Sequence, residues 1–201
     1  MTLDTRIKDY FDGYRTLTPS SIGCGVLVGA LFSFCFIFLF PGQSISTLMH
    51  GVLRLPGPGA GIALLSGPVA ILAGLIAYQV SPRSGMILIS ISIYGIMTPI
   101  GQAMVGAGVM QQYPVYLPMT SYIILGALME FFVHAIPDKS TFHKNMLPSV
   151  FANILFLVFW WLAIFPRYLH RWPVKEGIDP SGLADYLSYC SPIIIMIGLA
   201  I

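Results

Sequence analysis

Apolar residues run along this chain in long blocks, separated by short joints rich in Gly, Pro and polar residues. Six blocks are candidates for membrane-crossing helices, which need roughly 20 apolar residues each. They cover about 20–40, 56–80, 85–107, 115–136, 147–165 and 183–201. Thr18-Pro19-Ser20 opens the first and Pro41-Gly42 closes it; Ser81-Pro82-Arg83-Ser84 is a tight turn between the second and third. Pro99 interrupts the third block and Pro137 ends the fourth. In the second block Ala63, Gly67, Ala70, Gly74 and Ala77 recur at alternating spacings of four and three, which sets them on one helix face. Lipid gives little hydrophobic drive for helix association, so a stripe of small residues that lets backbones approach does that work instead. Residues 56–80 are therefore expected to form the helix around which the others pack. The opening Pro56–Gly61 is either a hinge or part of a ligand mouth. Gly25, Gly29 and Ser33 make a second small-residue face in the first block.

Two weaker patterns flank these blocks. Leu3, Ile7, Tyr10, Phe11 and Tyr14 stand at helical spacing among charged residues, so 1–19 reads as a cytoplasmic amphipathic lead-in. In the connection 41–60, Ile45, Leu48, Met49, Val52 and Leu53 also fall on one face, which predicts a short interfacial helix. The expected fold is an all-α integral membrane protein, a bundle of about six transmembrane helices with a long semi-ordered first outer loop, and 20–201 form its single membrane domain.

Composition agrees with this class. Of 201 residues, 56% are hydrophobic and 9% charged, against about 25% charged in a typical soluble domain. Mean hydropathy is +0.81. The net charge of +2 is spread over loops, with no basic stripe that would bind nucleic acid. Cys24, Cys35 and Cys190 lie in apolar runs and read as packing thiols. Cys24 and Cys35, on one helix, would stand about 16 Å apart, too far to bridge. The N-terminus mixes Asp4, Asp9 and Asp12 with Arg6, Lys8 and Arg15, unlike a signal peptide.

Six spans place both termini on one side. An N-in, C-in orientation in the cytoplasmic membrane leaves Arg6, Lys8, Arg15, Arg83, Lys139 and Lys144 inside, and Arg54, Arg167, Arg171 and Lys175 outside. The long connections 41–60, 108–114 and 166–182 then all face out, where recognition is expected.

Candidate chemistry is sparse. No Walker lysine motif, G-x-S-x-G or H-E-x-x-H is present, so the chain cannot energise transport with ATP by itself and is not expected to be an enzyme. Glu130 is the one carboxylate well inside a span, with His134 four residues on and His143 in the following loop. An intramembrane carboxylate is costly unless paired. Glu130 is open to three roles: pairing with His134, contact with a partner subunit, or a metal or proton site with His134 and His143. No cofactor is expected.

A second constellation gathers in the outer half: His50, Arg54, Gln102, Gln111, Gln112, Tyr113, Tyr116, Trp160 and Trp161. Aromatic faces with amide donors and acceptors suit a flat heteroaromatic ligand. The tyrosines and tryptophans also fit an ordinary interfacial belt, and Gln102 fits helix–helix bonding.

The order of spans, the long first outer loop and the local runs GPGAGIALLSGP, SPRSGMILIS, ILGALMEFF and ANILFLVFWW resemble the substrate-binding (S) component of an energy-coupling factor (ECF) vitamin transporter. The resemblance covers most of 20–201. It implies uptake of a vitamin-like compound from outside, with a transmembrane coupling subunit and two ATPases as partners. In that family small residues four apart on the first helix contact the coupling subunit; Gly25 and Gly29 match those positions. Gly67 and Gly74, on the small-residue stripe of the second block, are further interface candidates. The metal-transporting branch uses a histidine at the extreme N-terminus, which Met1-Thr2-Leu3 lacks. The competing expectation is a non-ATPase integral subunit of a membrane enzyme complex, with small-residue stripes docked to neighbouring chains and a metal at Glu130, His134 and His143.

Overall fold

The computed structural model describes residues 3–40, 52, 65–105, 116–135 and 147–156. All of their regular elements are helices: α1 Leu3–Tyr14, α2 Pro19–Leu39, α3 Gly67–Val80, α4 Met86–Met104, α5 Tyr116–Ala135 and α6 Leu147–Phe156. The expected blocks and these helices coincide wherever they overlap. The parts of the second and fifth blocks at 56–64 and 157–165, the interfacial helix at 41–60 and the sixth block at 183–201 lie outside the described residues, apart from Val52. By length and composition α2 and α4 are able to cross a membrane; α3, the Met119–Ala135 part of α5, and α6 are apolar but shorter.

Local sequence sets the helix ends. The Thr18 side chain accepts from the Ser21 amide and Ser21 Oγ accepts from the Thr18 amide, a reciprocal cap, and Pro19 follows where a missing N–H costs nothing. The α3–α4 turn is closed by Gly85 at φ +93°, a left-handed backbone that residues with a Cβ adopt only under strain. Pro99 sits inside α4 and removes the amide that would otherwise reach the Gly95 carbonyl.

The centre of the described bundle is α4, which packs on α2, α3 and α5. The small-residue stripe on α3 is therefore buried as expected, but as the wall of a neighbour's seat and not as the hub. Gly74 lies against Ile87 and Ile91, and Ala70 and Ala77 are fully buried. A hub has to be covered on several sides, and α4 is wide enough in its apolar surface to be so: Met86, Ile87, Ile91 and Tyr94 are all buried. α2 runs parallel to α4, shown by the ordered contacts Gly25–Ile89, Gly29–Ser90, Ser33–Thr98 and Phe40–Gln102. A Cβ on Gly29 would fall on the Ser90 carbonyl oxygen, so this closest approach needs glycine. α5 is antiparallel to α4, with Glu130 at the start of α4 and Tyr122 beside Tyr94. The bundle thus has a near end, where α2 and α4 begin and α1 docks, and a far end, where they finish.

On α2 the bulky side chains face outward and the small ones inward, around a core that is otherwise apolar. The interior side of α2 is Ser21, Gly25, Gly29, Ser33 and Phe36, while Leu27, Leu31, Phe34 and Phe38 are 56–69% exposed. Left in water, each such bulky side chain forgoes about 1.5–3 kcal/mol of burial.

Candidate functional site

Two polar clusters sit inside the described bundle, one at the near end and one from its middle toward the far end. At the near end Glu130 is fully buried on α5 and reaches across to the first turn of α4. One carboxylate oxygen accepts from the Gly85 amide at 2.7 Å and the other from the Leu88 amide at 3.0 Å. Gly85 is the residue before α4 and Leu88 its third, so these are amides that no carbonyl of the helix can satisfy. Gly85 has no side chain to cap them. Glu130 supplies that cap from another helix, and its negative charge lies at the positive end of the α4 dipole.

His134 Nε2 donates to Glu130 Oε1 at 3.2 Å, the pairing that their spacing of four allows. The imidazole stands between the Tyr10 ring, 4.8 Å away, and the Tyr78 ring at 5.8 Å. Tyr10 and Tyr14 share a 2.5 Å hydroxyl contact, Tyr14 lies against Gly85, and Arg83 donates to the Thr16 carbonyl. Partial burial pushes the Tyr10 phenol well above its usual range, with help from its bond to Tyr14 and from the Glu130 charge; Tyr14 is raised mainly by burial. These residues dock α1 across the near end.

Of the roles open to Glu130, the geometry supports a structural one, in which both oxygens serve the backbone of α4. His143, the third residue of the metal alternative, lies outside the described residues. Among the described residues no three of His, Cys, Asp and Glu gather as metal ligands.

The cluster toward the far end is uncharged. Tyr122 donates to Ser66 Oγ at 2.5 Å, and Ser66 Oγ bonds the Tyr94 hydroxyl at 2.9 Å. Thr98 donates to Ser33 Oγ at 2.9 Å. Three buried hydroxyl groups thus join α5, the start of α3 and α4, and a separate pair one turn further along α4 joins it to α2. Ser66 stands at the wide π-type turn that opens α3, and its hydroxyl serves the tyrosines instead of capping that helix. Wide turns of this type recur at functional sites. Around the hydroxyls runs a ladder of rings, Phe36–Tyr94–Tyr122–Phe156, with successive centroids 5.3–5.9 Å apart.

Gln102 lies beyond this lace, one turn from Thr98. Its Nε2 donates to the Phe40 carbonyl at 3.0 Å, which joins the ends of α2 and α4. Its Oε1 is buried and has no partner among the described residues; the same holds for Asn153 Oδ1 and Ser90 Oγ.

No family model, no curated protein and no solved structure matches this chain.

Of the sequence candidates for ligand binding, Gln102 is in place at the far end, and Tyr116 begins α5. His50, Arg54, Gln111, Gln112, Tyr113, Trp160 and Trp161 lie outside the described residues. The interface candidates Gly25, Gly29, Gly67 and Gly74 are buried within this chain. For Gly25, Gly29 and Gly74 the neighbour is α4, so their close-approach surface is already used internally. Sequence reasoning passed over Ser66, Tyr94, Tyr122 and Thr98, and read Ser33 only as a small residue on a packing face. The available signal was a hydroxyl on each of several spans, weak because each residue alone is ordinary in an apolar helix.

Proposed function

We propose that this chain is a membrane-embedded binding protein for a small organic, vitamin-like compound, seated toward the far end of the bundle. Partner subunits supply the energy: a transmembrane coupling subunit and ATPases, as the resemblance to ECF S components implies. The chain itself performs no chemistry. The supporting observation is the set of bulky apolar side chains left exposed on α2, together with an uncharged hydroxyl, amide and ring cluster buried within the apolar core. Lipid tolerates the first, and a ligand that needs stacking and a few placed hydrogen bonds can use the second.

Charge placement agrees with the N-in orientation in the cytoplasmic membrane. Every Asp, Glu, Lys and Arg among the described residues is at the near end: Asp4, Arg6, Lys8, Asp9, Asp12, Arg15, Arg83 and Glu130. The near end is then cytoplasmic and the far end outside, with six spans in the whole chain. The test is purification from the native membrane in a mild detergent, with mass spectrometry of proteins and small molecules that accompany the chain. ATPase subunits together with a stoichiometric heteroaromatic compound are expected. Redox or metalloenzyme subunits with a stoichiometric metal would overturn the reading.

A further inference from the structure

We draw no further inference here: the strongest candidate, the Glu130–His134 side-chain cluster that α1 covers at the near end, belongs to the site already described, where both carboxylate oxygens serve the amides of α4 and the imidazole is held between Tyr10 and Tyr78.

Discussion

Replacement of Glu130 should loosen the first turn of α4 before anything else. The carboxylate accepts from the Gly85 and Leu88 amides at 2.7 and 3.0 Å in a fully buried position. In Glu130→Ala both amides lose their acceptor, and burial keeps water from replacing it. At about 1–3 kcal/mol for each orphaned donor, the cost is about 2–6 kcal/mol. In Glu130→Gln one amide keeps a carbonyl oxygen and the other meets an NH2 group, so about 1–3 kcal/mol is expected. His134→Gln keeps a donor toward Glu130 and should cost about 1 kcal/mol or less. The order Ala, Gln, then the His134 variant is the signature of a cap. Unfolding of the detergent-solubilised protein in increasing SDS gives the stabilities, and amide exchange localises the change. Exchange should accelerate at residues 85–89 in both Glu130 variants and stay unchanged at the α4 end. A Glu130→Gln protein with wild-type stability and wild-type exchange at Leu88 would refute the capping argument. So would a His134 variant as damaging as Glu130→Ala, because the pair and not the cap would then carry the energy.

Further outcomes follow from the packing and the hydroxyl lace. Gly29→Ala should destabilise by about 1–3 kcal/mol, because its methyl meets the Ser90 carbonyl, while Gly23→Ala, with open space around it, should be neutral in the same unfolding assay. Ser66→Ala releases both tyrosine hydroxyls and should cost about twice the roughly 1 kcal/mol of Tyr122→Phe; equal costs would show that Ser66 does not join them. The raised phenols of Tyr10 and Tyr14 make α1 docking pH-dependent at the alkaline end. Docking favours the neutral phenols, so its contribution is intact below about pH 10, the ordinary tyrosine value, and is lost as pH rises beyond it. Amide exchange in α1 that accelerates above pH 10 in wild type, and does so less in Tyr10→Phe, is the expected result.

How much of this was legible in the sequence depends on which physical rule each feature obeys. Helix positions were legible because Pro and Gly punctuate them: Thr18-Pro19 and the Ser81–Gly85 turn act through short-range backbone sterics. The pairing of Glu130 with His134 was legible from a spacing of four. The more important partners of Glu130, the Gly85 and Leu88 amides, were not, because 45 and 42 residues separate them and backbone amides leave no mark in sequence. The Ser66–Tyr94–Tyr122 lace is hidden for the same reason, since it forms only when three helices meet.

The misplaced hub has a different cause. In a water-soluble bundle the buried side of a helix is its apolar side, so periodicity reads out burial. α2 is apolar all round, and its faces differ in size: Ser21, Gly25, Gly29 and Ser33 go inward while Leu27, Leu31, Phe34 and Phe38 go outward. Small residues mark where two backbones come close, and that mark is symmetric between the helix that is covered and the one that covers it. Gly74 on α3 and Gly29 on α2 both register contact with α4, and α4 in turn carries Gly95 against Tyr122 of α5 and Gly101 against Ile37 of α2. Close-approach glycines thus lie on the central helix and on its neighbours alike, and what sets α4 apart is that they meet different helices, α5 at Gly95 and α2 at Gly101. The regular spacing of small residues on α3 is the more conspicuous pattern in sequence, and it marks a wall of the bundle rather than its axis.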